Sequence, residues 1–168
     1  MKKFLLLLDG MTGAGKTTIS KLLAKQLPRT AIIGMDKIKR LISDFERCPK
    51  DNAIAKKIIF EMTKKYLDLG LAVIVEQPLK SVNEINTYEK LAKKYSLPCY
   101  KFQLFTNSDT ALNRVINRQK DWEIKVPEER IKHNISFYQD RSKLGFEVID
   151  TSDLKPEEVA KIILDKIK

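Results

Sequence analysis

The chain reads as an α/β protein built on one parallel sheet with helices on both faces. Three observations predict this. Apolar runs of strand length alternate with segments of helical period from end to end, no linker or internal repeat interrupts them, and 168 residues suit one domain with a sizeable core. The strands expected are residues 3–8, 30–34, 72–76, 99–105 and 146–149, and five such strands fit one sheet.

The helices fall between them. Residues 16–27 form the first, ended by Pro28, and residues 37–45 the second. A long helix over 52–69 is ended by Gly70, with Ile54, Ile58, Met62, Tyr66 and Leu69 as its core-facing stripe and Lys56, Lys57 and Lys64 as a solvated face. Further helices are expected over 82–95, 109–119 and 128–140, with a last one starting near Pro156.

Composition narrows the class. Cys48 and Cys99 stand apart without metal-ligand spacing and His133 is the single histidine, which argues against a zinc site and fits a reducing, cytoplasmic setting. Lys2 and Lys3 followed by the apolar residues 4–8 look like the start of a signal peptide, but the run is short and passes straight into Asp9, as a buried strand does. No apolar run approaches membrane-spanning length, so no membrane association is expected. The net charge of +10 is spread along the chain, and Lys outnumbers Arg 25 to 7. Diffuse lysine is mostly solvation with some support for an anionic substrate, because nucleic-acid readers lean on Arg.

The sharpest feature is Gly10-Met11-Thr12-Gly13-Ala14-Gly15-Lys16-Thr17, which fits G-x-x-x-x-G-K-S/T between a strand and a helix. Such a loop wraps a polyphosphate with its backbone N–H groups, and its glycines, Gly10, Gly13 and Gly15, admit the angles and the close approach that a Cβ forbids. Lys16 is placed to reach the β- and γ-phosphates, Thr17 to offer a hydroxyl to Mg²⁺, and the helix start that includes Thr18 to add its dipole. Nucleoside triphosphate binding is the expectation.

Ligands of an open α/β sheet sit at the carboxyl ends of its strands, so polar residues there are the next candidates. Asp36 follows the second strand as the leading general base toward an alcohol, with helix capping as its plain structural role. Lys39 and Arg40 share its helical face and are placed to hold an anionic group of an acceptor, although Lys39 equally suits a solvated surface. Glu76 ends the third strand, where it suits Mg²⁺, with pairing to Lys16 or acceptor binding as alternatives. Gln77 and Pro78 then turn the chain outward beside the acceptor pocket. Arg114 and Arg118 share a face and precede a polar stretch over 119–125 that reads as a lid, so a guanidinium there is placed to neutralise the transferred phosphoryl group, against ion pairing on the surface. Trp122 in that stretch suits either ring stacking or anchoring of the lid.

The loop at 10–17, Asp36 after the second strand, Arg-x-x-x-Arg at 114–118 and Val148-Ile149-Asp150-Thr151-Ser152 together resemble the small P-loop kinases: chloramphenicol phosphotransferases, zeta-toxin-like kinases and the kinase domain of polynucleotide kinases. The resemblance runs the length of the chain, and its loop is specific for nucleotide binding. It implies a three-layer P-loop NTPase fold with sheet order 2-3-1-4-5, ATP with Mg²⁺, Asp36 as base and Arg118 on a lid. It also implies an adenine pocket from Arg114 or Arg118 and the loop 151–154, including Thr151 and Asp153. Polynucleotide kinases carry D-x-x-R after the second strand, whereas Lys39 fills that slot here and Arg40 follows it.

Residues 1–168 are thus expected to form one kinase domain, with the acceptor region near 36–80 and the lid near 119–127. The first expectation is an ATP-dependent kinase acting on a hydroxyl of a small or nucleoside-like molecule. A 5′-hydroxyl polynucleotide kinase and a nucleotide-dependent regulatory ATPase are the alternatives.

Overall fold

The structure, a computed structural model, describes residues 3–46, 48–120 and 125–167. Five strands, β1 (Leu5–Gly10), β2 (Thr30–Gly34), β3 (Ala72–Glu76), β4 (Cys99–Phe105) and β5 (Glu147–Asp150), form one parallel sheet in the order β2-β3-β1-β4-β5. The helices are α1 (Lys16–Gln26), α2 (Met35–Lys39), α3 (Pro49–Asp68), α4 (Val82–Lys94), α5 (Ser108–Arg118), α6 (Glu128–Ser136) and α7 (Pro156–Ile167). This is the α/β fold and strand order that the kinase resemblance implies.

Alternation along β1 divides two cores. Leu6 and Leu8 pack with Ile74, Leu104 and Ile163 on the α1 and α7 side, while Leu5 and Leu7 pack with Val73, Ile59 and Tyr88 on the α3 and α4 side. Because β1 is central and covered on both faces, its Leu5–Leu8 run carries no polar residue until Asp9. The register then aligns Gly34 with Glu76, Leu8 with Glu76, and Asp9 with Gln103, which gathers the polar strand ends along one edge. No helix among the described residues is long and apolar enough to cross a membrane.

Several boundaries differ from the sequence expectations. The first strand starts at Leu5 and runs on to Gly10 because its pairing with β4 continues through the first motif residue. The last strand is shifted one residue on, to Glu147–Asp150. Helix α2 stops at Lys39 instead of reaching residue 45: Met35 and Ile38 are buried, Leu41 is 80% exposed, and Asp44 takes a φ of 56°, so nothing holds a further turn. Helix α3 starts earlier, at Pro49, where Cys48 Sγ accepts from the Asp51 N–H at 3.5 Å. Helix α6 ends at Ser136, short of residue 140, because Gln103 takes the next backbone groups: its Nε2 donates to Gln139 O at 2.8 Å, and its Oε1 accepts from Arg141 N at 2.7 Å.

The face of α3 also differs. Ala55, Ile59, Thr63 and Leu67 point into the core, whereas Ile54 is 41% and Leu69 58% exposed and Met62 and Tyr66 lie at the margin. Thr63 disguises this stripe. Its hydroxyl donates to Ile59 O at 2.8 Å, so the group is satisfied within the helix and the residue buries like an apolar one. Lys56, expected on a solvated face, is ion-paired with Glu84, which also completes the capping box of α4 with Ser81.

Candidate functional site

The phosphate loop leaves β1 and enters α1 through three left-handed or extended-positive glycines. A Cβ on Gly10 would lie 2.4 Å from Leu104 O, and one on Gly13 would lie 2.6 Å from Ala111 O, so these two let the loop seat against β4 and α5. Gly15 is different. It has a φ of +94° and nothing within 4 Å of its Cβ position, so its need is conformational and the space beside it is open. It also occupies the cap position of α1, which has no side-chain cap, so the positive end of the helix dipole faces that space.

Lys16 Nζ donates to Gly10 O at 2.7 Å and Met11 O at 3.0 Å. Loss of water lowers its pKa, while Asp9, Asp36 and Glu76 favour its charged form and Arg118 opposes it. Four charged side chains from four different elements therefore share one field around this ammonium. Asp9 is 5% exposed; its Oδ1 accepts from Gly10 N at 2.6 Å, and its Oδ2 lies 3.7 Å from Arg141 Nε. Burial pushes its carboxyl up, against the pull of the Gly10 N–H, Lys16 and Arg141.

Beside Lys16, Thr17 Oγ1 donates to Glu76 Oε2 at 3.1 Å, and Ser20 Oγ donates to Glu76 Oε1. Burial raises the Glu76 pKa, opposed by the Thr17 bond, Lys37 and Lys16. A hydroxyl and a buried carboxylate facing each other at the mouth of a phosphate loop are hard oxygen donors. Mg²⁺ in nucleotide sites takes one or two such donors and fills its remaining positions with phosphate and water, so this pair fits it. Glu76 is not hydrogen-bonded to Lys16, whose Nζ turns to the loop carbonyls.

On the other side of the loop, Gly13, Thr18, Arg114, Arg118, Thr151 and Leu154 line a cavity of about 320 Å³ with Ile19, Val115, Pro156 and Val159 as its apolar wall. Arg114 donates from Nη1 to Thr151 Oγ1 at 3.2 Å and from Nη2 to Thr151 O at 2.9 Å. Thr151 Oγ1 in turn lies 2.9 Å from Phe105 O and 3.3 Å from Ala14 O, so this one hydroxyl ties the β5–α7 loop to β4, α5 and the phosphate loop. A cavity lined by both apolar side chains and the arginines Arg114 and Arg118 has the size and chemistry for a nucleoside.

The remaining sequence candidates distribute as follows. Thr12 and Ala14 lie in the loop, and Met11 turns its side chain into the core, with Sδ 3.4 Å from Thr106 N. Asp153 is not among the residues lining the cavity. Asp36 is the second residue of α2, exposed, and makes no cap bond, since the cap position belongs to Gly34. Lys39 Nζ sits over the Phe45 ring at 5.2 Å, and Arg40 closes the helix. Gln77 is 2% exposed; its Nε2 donates to Tyr88 Oη at 3.1 Å, and its Oε1 is buried with no partner. At the foot of the expected lid, Gln119 exchanges two bonds with the Val126 backbone, at 2.9 and 3.0 Å. The core of that lid, residues 121–124 with Trp122, lies outside the described residues.

Sequence reasoning did not single out Asp9, Ser20, Gln103 or Arg141, nor the apolar wall of the cavity. One signal was present for Asp9: a charged residue ending an otherwise apolar central strand. Ser20, one turn beyond Thr17, faces Glu76 by helical spacing alone.

A family model described as an AAA domain matches residues 5–140. The Mycobacterium tuberculosis APS kinase CysC, solved with AMPPNP and APS, is 14% identical over 98% of this chain and 96% of its own, with a TM-score of 0.69. A sugar kinase from Janibacter sp. HTCC2649 is 15% identical over 98% of this chain and 95% of its own, with a TM-score of 0.70. A chain of the Pnkp1/Rnl/Hen1 RNA repair complex is 16% identical over 87% of this chain and 47% of its own, with a TM-score of 0.69. At these identities the likeness is one of fold.

Proposed function

The chain belongs to the AAA-domain family, and from that premise we propose that it is an ATP-dependent kinase that transfers the γ-phosphoryl group to a hydroxyl of a small or nucleoside-like acceptor. The observation that carries this reading is the meeting of the phosphate loop with two strand-end carboxylates: Thr17 donates to Glu76 at 3.1 Å, and Asp36 follows β2 two residues after Gly34, the register partner of Glu76. A binding module needs the loop; it does not need an exposed carboxylate on the acceptor side.

The residues divide the work. The phosphate-loop N–H groups and Lys16 hold the polyphosphate, and the cavity beside Arg114 and Thr151 receives the nucleoside. Thr17 and Glu76 would hold Mg²⁺, which when bound neutralises charge on the β- and γ-phosphate oxygens. Asp36, exposed at the start of α2, accepts the proton of the acceptor hydroxyl, and Arg118 stabilises the charge that develops on the transferred group. Glu76 is the less suited base because Thr17 and Ser20 already occupy its oxygens. We assign Lys39 and Arg40, three and four residues after Asp36, and Gln77, directly after Glu76, to the acceptor side, which would favour an acceptor bearing an anionic or polar group.

The test is ADP release across a panel of hydroxyl compounds, nucleosides and 5′-hydroxyl oligonucleotides. The expected result is release that depends on one class of acceptor and falls at least about 100-fold in Asp36→Asn while the Kd for ATP changes less than about threefold. Hydrolysis indifferent to every acceptor would sink the reading in favour of a regulatory ATPase.

A further inference from the structure

Asp9 and Gln103 are register partners on neighbouring strands, and together they grip one residue from a distant part of the chain. Gln103 Oε1 accepts from the Arg141 backbone N–H at 2.7 Å and faces Tyr138 Oη at 3.3 Å, which fixes the segment after α6 on the end of the sheet. The Arg141 side chain is thereby aimed at Asp9. Its Nη1 donates to Gln139 Oε1 at 3.0 Å, and its Nε is buried without a hydrogen-bond acceptor, 3.7 Å from Asp9 Oδ2. That gap exceeds a hydrogen bond by less than about 1 Å.

The same carboxylate faces the phosphate loop from the other side. It accepts from Gly10 N, and Lys16, whose Nζ is bonded to Gly10 O, supplies a second positive charge beside it. A buried carboxylate stays ionised at low cost only while donors and positive charge surround it, so losing one of its two cations is unfavourable. Lys16 cannot both remain on the loop carbonyls beside Asp9 and extend to a polyphosphate. Once it extends, Arg141 is, among the described residues, the cation left facing Asp9, and its orphaned Nε–H gains the acceptor it lacks.

We propose that Arg141 is a positioning residue for nucleotide binding: it takes over the Asp9 carboxylate as Lys16 turns to the polyphosphate, and so couples the segment after α6 to the first turn of the phosphate loop. The proposal rests on the nucleotide-binding reading above. Asp9 and Arg141 act through Gly10 and Lys16 and touch neither nucleotide nor acceptor.

The experiment is calorimetric titration of Mg-ATP into the full chain and into Arg141→Met, Arg141→Lys, Asp9→Asn and the Asp9→Asn/Arg141→Met pair, each well below its own melting temperature. Arg141→Met is expected to weaken ATP by about tenfold, because the bound state then leaves Asp9 uncompensated. Arg141→Lys recovers part of that loss. Adding Asp9→Asn to Arg141→Met brings affinity back to that of Asp9→Asn alone, because no carboxylate remains to be handed over. A merely structural pair would lower the melting temperature and leave the Kd within twofold of the unsubstituted chain, and that result overturns the proposal. So do losses that multiply in the double variant. If Arg141→Met does not fold, Arg141→Lys with and without Asp9→Asn carries the same comparison. Failure of the unsubstituted chain to take up ATP overturns the nucleotide reading, and this inference with it, whereas uptake with an indifferent Arg141 overturns this inference alone.

Discussion

Thr17 Oγ1 donates a 3.1 Å hydrogen bond to Glu76 Oε2, joining the last residue of the phosphate motif to the end of a strand 59 residues further along the chain. Because β3 lies beside β1, the carboxylate arrives next to the hydroxyl with no loop to position it. Glu76→Gln keeps the shape and removes the anionic donor. Turnover with Mg²⁺ is expected to fall at least about 100-fold, while ATP affinity measured in EDTA moves by less than about threefold. Equal Mg²⁺ dependence in the variant and the unsubstituted chain would show that Glu76 does not hold the ion.

Lys16→Met takes away the ammonium now held by Gly10 O and Met11 O. Charge-assisted bonds are worth about 1.5–3 kcal/mol, so ATP binding is expected to weaken by roughly 10- to 150-fold, with kcat/KM falling at least as far. Titration calorimetry beside steady-state kinetics checks both numbers.

Thr151→Val is a stability prediction with a binding consequence. It leaves Arg114 Nη1 without its acceptor and Phe105 O without a 2.9 Å donor, while volume is nearly conserved. The expected cost is about 1–3 kcal/mol, a drop of several degrees in Tm by thermal denaturation. ATP affinity falls with it, because the same residue lines the cavity. An unchanged Tm would show that the hydroxyl does not hold the β5–α7 loop.

Cys99 supplies the pH test. Burial, helped by Glu89, pushes its thiol from an ordinary value of 9.0 up to about 11. A raised value in the folded state means that the folded chain keeps its proton where the unfolded chain has lost it. The Cys99 contribution to stability is therefore whole below pH 9 and declines as pH rises toward 11. Alkylation of Cys99 in a Cys48→Ser background should be slow at pH 8 and climb steeply above pH 10. A rate already at its plateau at pH 9 would contradict the burial of this thiol.

The phosphate loop was legible because its chemistry is contiguous: eight successive residues carry the turn, the lysine and the hydroxyl. Strand positions were legible for a related reason, since a strand buried on both faces has to be apolar throughout. The face of α3 was not legible. A threonine that bonds its own helix backbone looks polar in the sequence and behaves as core, so the stripe read from Ile54 and Ile58 was turned away from the one that packs. The end of α2 was equally hidden, because helical period continues past Lys39 while the surface that would bury Leu41 does not.

By itself, then, the sequence determined a parallel α/β sheet, a nucleotide-type loop, and the carboxylates Asp36 and Glu76 at strand ends, all of them properties of short stretches of chain. Only the tertiary structure decided that Glu76 answers Thr17 and Ser20, that Arg114 is bound to Thr151, and that Asp9 faces both Lys16 and Arg141. The physical reason is that a charge has no meaning until its neighbours are known. Burial and opposing charge set what a carboxylate or an arginine does, and both come from segments that the sheet order, not the order of residues, brings together.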